Sequence, residues 1–168
     1  MRVIGQKQYT EQGFFAQDRG VTAWHPFCSK NPLSTTMRHQ AKSAKMKKKI
    51  LIVEDNLDLT YILLRLVENA GYDSILAVNG KEAVEMADSQ IPDLILMDIM
   101  MPEMNGFEAT RLIRENPKTR CIPIIAVTAM SSAKDRDECL KCGCSDYMSK
   151  PFTPSQLAAT IKKHLMAS

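Results

Sequence analysis

Residues 93–106 read DLILMDIMMPEMNG. Four of the first five are apolar, as expected of a buried strand, and the run then delivers a carboxylate at Asp98. Two methionines, a proline and an Asn-Gly pair follow at once, so the chain turns sharply just past that acid. A strand that carries an acid to its own tip needs surroundings that favour a charge there.

The same alternation runs through the chain from Lys49 onward. ILIV (50–53) is a short apolar run that stops at Glu54-Asp55, and LDLTYILLRLVENAG (57–71) has apolar residues at helical spacing and ends on Gly71, a helix stop. SILAV (74–78) predicts a second strand, GKEAVEMADSQ (80–90) a helix closed before Pro92, and DLILM (93–97) a third strand. GFEATRLIREN (106–116) predicts a helix, IPIIAVTA (122–129) a fourth strand, SAKDRDECLKCG (132–143) a helix ending at Gly143, and DYMS (146–149) a short fifth strand. TPSQLAATIKKHL (153–165) predicts the last helix, with Thr153 as its cap and Pro154 in its first turn. Five strands alternating with five helices predict an α/β fold whose parallel sheet is covered on both faces. Right-handed crossovers restrict this to a doubly wound sheet.

Ahead of this pattern the composition changes. Residues 1–49 hold ten Lys/Arg against two Asp/Glu, whereas residues 50–168 hold twelve against seventeen. Up to Met46 no period of 2 or 3.6 is sustained, so residues 1–46 are expected to form a disordered, basic N-terminal extension and residues 47–168 a domain. The run KSAKMKKK could meet nucleic acid or an acidic partner, although such runs are more often merely solvated. MKKKILIVEDN also has the form of a protein's own start at Met46, which would make the preceding residues an upstream addition. The chain stops almost where its fifth predicted helix stops, so no output domain and no helix-turn-helix is expected after it. No apolar run approaches the roughly 18 residues of a membrane span, and the first residues lack a signal-peptide core. A cytoplasmic protein without membrane contact is expected. Five cysteines without a secretory signal argue against a disulfide framework, and CLKCGC, with Cys139, Cys142 and Cys144, is expected to be a set of packed thiols rather than a metal site.

In an open α/β sheet, ligands gather beyond the carboxyl ends of the strands. The polar residues that end the predicted strands are Glu54 and Asp55, Asp98, Thr128, and then Lys150. Like charges about 4–5 Å apart repel by roughly 3–4 kcal/mol at an effective dielectric near 20. A divalent cation would relieve that, and an all-oxygen donor set favours Mg²⁺, or Mn²⁺ in its place. Lys150 and Thr128 could grip the oxygens of a phosphoryl group, which makes Asp98, at the central strand's tip, the best candidate nucleophile.

ILIVEDN, DLILMDIMMPEMNG, PIIAVTA and DYMSKPF, in that order, resemble the receiver domain of two-component response regulators over about residues 47–167. The resemblance implies a flavodoxin-like five-stranded sheet in the order 2-1-3-4-5 and a stand-alone, phosphorylatable regulator, not an enzyme. It implies Asp98 as phosphoacceptor, Asp55 as a direct Mg²⁺ ligand, Glu54 acting mainly through water, and the Met100 backbone carbonyl as a further ligand. Thr128 and Lys150 would contact the phosphoryl group, and Thr128 with Tyr147 would form a switch. The donor would be a histidine kinase or a histidine phosphotransfer protein, and the downstream protein would bind the face of the fourth helix, fifth strand and fifth helix. The runner-up is a degenerate receiver that binds partners without phosphorylation. An aspartyl-phosphate hydrolase would want a second Asp where Met100 stands. Glu54 occupies a place where many members carry Asp, and Met100 and Met130 are apolar where other members are often polar.

Overall fold

Ile50 and Ile52 point into one apolar layer and Leu51 and Val53 into the other, and all four are at most 1% exposed. A parallel strand between two helical layers has no solvent face, which is why its sequence is apolar without alternation. The computed structural model describes residues 47–166, and the expectations placed on residues 1–46 lie outside them. Within the described span the order is β1 (Lys49–Val53), α1 (Leu57–Asn69), β2 (Asp73–Ala77), α2 (Gly80–Gln90) and β3 (Leu94–Met97), then α3 (Gly106–Glu115), β4 (Ile124–Thr128), α4 (Ala133–Cys142), β5 (Asp146–Ser149) and α5 (Pro154–Met166). The strands are all parallel, in the order β2-β1-β3-β4-β5, as the resemblance implies.

One layer is built from Leu63 and Val67 of α1 and Leu157 and Ile161 of α5 against one sheet face. The other takes Ala83 and Ala87 of α2, Ala109 and Ile113 of α3, and Cys139 of α4. Small residues on α2 and α3 let those two helices lie close to each other and α2 lie close to β1 and β2. α4 is the lightly held one: Cys139 is its single fully buried residue. No helix among the described residues is long and apolar enough to cross a membrane.

All five helices start at the sheet edge where the strands end. Asn56, Asn79, Asn105 and Ser132 each accept the amide three residues on, at 2.8–3.1 Å. Thr153 caps α5 as its sequence predicts: its hydroxyl accepts the Gln156 N–H at 3.2 Å while Gln156 Oε1 accepts the Thr153 N–H at 2.8 Å. Gly71 and Gly143 take positive φ of 89° and 112° and stop α1 and α4, as predicted.

The opposite edge is tied by side chains that no motif announced. Arg114 donates to the carbonyls of Gly143, Arg120 and Ile122 at 2.7–3.0 Å, and so joins the end of α3 to the approaches of β4 and β5. Lys48 pairs with Asp93 at 2.7 Å and Lys47 with Asp73 at 3.7 Å, so the end of the basic run meets acids of its own domain. Cys139, Cys142 and Cys144 behave as packing residues. Burial pushes the Cys139 thiol to about 11 and the Cys144 thiol to about 12, and Cys142 donates to the Phe107 carbonyl at 3.2 Å. No metal-holding group among the described residues includes them.

Asp146 fastens α5 to β5 by accepting Lys163 Nζ and His164 Nε2, each at 2.8 Å. Partial burial alone would raise its carboxyl, but the bonds from His164, Lys163 and the Tyr147 N–H outweigh burial and hold it at about 2. A depressed carboxyl stabilises the fold above its unfolded pKa, and that contribution is lost as pH falls toward the folded one. Asp146→Asn is expected to lower stability at neutral pH by roughly 1–2 kcal/mol, after discounting for the exposed Lys163. In urea unfolding over a pH series, the gap to wild type should close between about pH 4 and pH 2.

Candidate functional site

The register of the strands brings the acids together. β1 and β3 pair with Val53 opposite Met97, so the next residues, Glu54 and Asp98, leave the sheet side by side. β4 and β5 pair with Thr128 opposite Ser149, and Lys150 follows, its N–H donating to the Thr128 carbonyl at 2.8 Å. Glu54, Asp55, Asp98, Thr128 and Lys150 thus meet at one edge, as the sequence predicts.

Lys150 is placed in a way the sequence did not reveal. Its ammonium donates to Glu54 Oε2 at 2.6 Å and to Asp98 Oδ2 at 2.7 Å, bridging the two carboxylates. Both acids are buried, at 2% and 6% exposed, whereas Asp55 is exposed. A shared cation at this range offsets most of the repulsion between them. Burial pushes the Glu54 carboxyl above its ordinary value, and the bond from Lys150 only partly reverses this. Burial alone would pull the Lys150 ammonium down, but the bonds to Asp98 and Glu54 outweigh it and its pKa stands above the usual lysine value. The Lys150–Pro151 peptide bond is cis.

Carboxylate oxygens of Glu54, Asp55 and Asp98 lie within 4.8 Å of one another. Three hard oxygen donors without His or Cys fit Mg²⁺ or Mn²⁺ and not zinc. Met100 sits on the rim: its N–H donates to Asp98 Oδ1 at 3.1 Å, and the residue is 65% exposed. Thr128 is fully buried, and its hydroxyl oxygen accepts the Met130 N–H at 3.3 Å. The Tyr147 hydroxyl donates to the Met130 carbonyl, and the half-buried ring packs against the apolar layer of α2, α3 and α4. The peptide of Met130 therefore links the two residues expected to form a switch.

The sharp turn after Asp98 is fixed by close backbone approach. A Cβ on Gly106 would lie 2.2 Å from the Asp98 carbonyl oxygen, and the Gly106 N–H donates to the Ile99 carbonyl at 2.9 Å. Gly80 meets the same loop from α2: its N–H reaches the Met104 carbonyl at 3.1 Å, and a Cβ there would lie 2.5 Å from that oxygen. Between them, Glu103 takes φ 64° while Met104 N–H bonds back to the Pro102 carbonyl at 2.8 Å, a γ-turn. The Asn-Gly pair announced the turn at residue 106. Nothing in the sequence singled out Gly80, whose partner lies two elements away.

The family model described as the response regulator receiver domain matches residues 50–162. The chain belongs to that family. It is 43% identical over 121 residues to the polar-differentiation response regulator DivK of Brucella anthropi, covering 71% of this chain and 98% of that one. Among solved structures it resembles the receiver domain of the sensor histidine kinase PA1611 from Pseudomonas aeruginosa, with a magnesium ion coordinated in its active site cleft (37% identity, TM-score 0.68, 71% and 98% covered). It also resembles the chemotaxis protein CheY4 of Vibrio cholerae (29% identity, TM-score 0.66, 70% and 98% covered). Receiver domains are two-component signalling proteins that work with histidine kinases or phosphotransfer proteins and with downstream targets.

Because Gly106 touches the backbone of Asp98 itself, Gly106→Ala is expected to disturb the site and the fold together. Chemical unfolding should show a loss of about 2–3 kcal/mol.

Proposed function

We propose that this receiver accepts a phosphoryl group on Asp98 from the phosphohistidine of a histidine kinase or phosphotransfer protein and passes the signal on through a protein-binding face. The observation that carries this is the placement of Asp98 at the tip of β3, between an ammonium at 2.7 Å and two further carboxylates. An Asp98 oxygen attacks phosphorus, the new O–P bond forms as the donor's N–P bond breaks, and the imidazole leaves with the electron pair and is protonated. The ammonium of Lys150 neutralises the charge on the transferring group, and the hydroxyl of Thr128 donates to one of its oxygens. A Mg²⁺ held by Asp55 and Asp98, with Glu54 and the Met100 carbonyl beside them, would supply further neutralisation of the phosphoryl oxygens.

Phosphorylation replaces the single charge of the Asp98 carboxylate with the roughly two charges of an acyl phosphate, a net gain of about one negative charge and new acceptor oxygens at the tip of β3. As Thr128 turns toward them, its bond to Met130 changes, and Tyr147, bonded to the same residue, responds. α4 has a single fully buried residue, so the face of α4, β5 and α5 is the one this change reaches with least resistance.

Incubation with labelled acetyl phosphate and Mg²⁺ is expected to label the wild type and leave Asp98→Asn unlabelled. An unlabelled wild type with a competent donor would favour the runner-up, a phosphorylation-independent interaction module. Met100 and Met130 are proposed to flank the path of the hydrolytic water and to slow loss of the phosphoryl group. Replacing both with polar residues should shorten the phosphoaspartate lifetime about ten-fold, equivalent to about 1.4 kcal/mol of barrier, and an unchanged lifetime would refute the idea.

A further inference from the structure

The loop after Asp98 carries Met100, Met101 and Met104, and the fold treats them differently. Met101 is 8% exposed and Met104 packs against the apolar layer of α2, α3 and α4, whereas Met100 is 65% exposed. The Met100 N–H donates to Asp98 Oδ1 at 3.1 Å, so its backbone is tied to the carboxylate while its thioether stands open to solvent on the rim. Among the other described methionines, Met97 and Met148 are buried, and Met86 and Met130 pack against the same layer as Met104. Met166 alone is as open, at 73%, and it ends α5, roughly 20 Å of helix away from the sheet edge where the site lies.

We propose that Met100 is an oxidation site through which a peroxide shortens the life of the phosphoryl group on Asp98. The inference rests on the roles proposed above for Asp98 and for the apolar rim. A thioether has no proton to lose, so its oxidation is governed by access, and access singles out Met100 near the site. The sulfur lone pair attacks one peroxide oxygen. The S–O bond forms as the O–O bond breaks, and the departing hydroxide takes a proton and becomes water. Sulfur is oxidised by two electrons and the peroxide is reduced by two. The product is a polar sulfoxide whose oxygen accepts hydrogen bonds. On a rim whose apolar bulk keeps water from the acyl phosphate, that oxygen holds a water beside it. Met130, half-buried and joined through its peptide to Thr128 and Tyr147, stays a thioether. Sulfoxide reduction restores the apolar rim, which makes the change a reversible switch.

The test treats the full chain with hydrogen peroxide and then with a thiol reductant, which reverses disulfides and sulfenic acids and leaves sulfoxides in place. Peptide mass spectrometry is expected to find Met100 oxidised at least about five-fold faster than Met101 or Met130. After labelling with acetyl phosphate and saturating Mg²⁺, the oxidised wild type should lose label about three-fold faster than the same protein before oxidation, a part of the ten-fold expected of polar residues at both positions. Met100→Leu has no sulfur there, and its rates before and after peroxide should differ by less than about 1.5-fold, while Met166→Leu should show the full acceleration. Methionine sulfoxide reductase should return the oxidised wild type to slow loss. Oxidation of Met100 no faster than that of Met101 would overturn the inference, and so would an acceleration that persists in Met100→Leu. If polar replacements at 100 and 130 shorten the lifetime and the sulfoxide does not, the inference fails and the role of the rim stands. If neither shortens it, both fail together, and a wild type that takes no label removes the acceptor role of Asp98 and the inference with it.

Discussion

The ammonium of Lys150, held between Glu54 and Asp98, is the interaction around which the functional edge of this receiver is organised. Two carboxylates that are almost fully buried and side by side would push the ends of β1 and β3 apart. A lysine delivered from the far side of the sheet offsets that repulsion and lets them stay close and fixed. It also ties β5, an edge strand of only four residues, to the two central strands. The stabilising contact and the candidate chemistry are thus the same three side chains.

Around this centre the fold is stiff on one side and lightly held on the other. The loop after Asp98 is pinned by Gly106 against the strand it has just left and by Gly80 against α2, with Asn105 capping the next helix. Such a frame keeps the Asp98 carboxylate from drifting. On the other side, Thr128, Met130 and Tyr147 form a chain of hydrogen bonds that leads away from the site toward α4. α4 is well capped at both ends but buries a single thiol, so its own hydrogen bonds survive a shift against the sheet that would tear a larger helix from its packing. Rigidity where chemistry is proposed and looseness where a signal is proposed to leave follow from how much apolar surface each element buries.

Family membership is consistent with this division. The chain matches relatives and solved receivers over the β1–α5 span, and it is in this span that the acids, the threonine and the lysine converge. Within that frame this chain sets Glu54 against Lys150, Met100 on the rim and Met130 in the hydrogen-bonded link.

The order of elements was legible in the sequence because it depends on local patterns: apolar runs between turns, helical spacing, and the stops at Gly71 and Gly143. The membership of the site was legible too, since parallel strands all end at one edge and the residues at their tips can be named without coordinates. Even the cap at Thr153 and the turn at Asn105-Gly106 carry local signals. The tertiary structure alone decided how these groups pair. That Lys150 bridges Glu54 and Asp98, that Glu54 is enclosed while its neighbour Asp55 faces solvent, and that Arg114 binds three distant carbonyls all depend on register and strand order. Gly80 needs its hydrogen atom because of a loop residue that lies more than twenty positions ahead. Sequence patterns report what a segment is; which side chain meets which is set by contacts between residues far apart in the chain, and no local period records those.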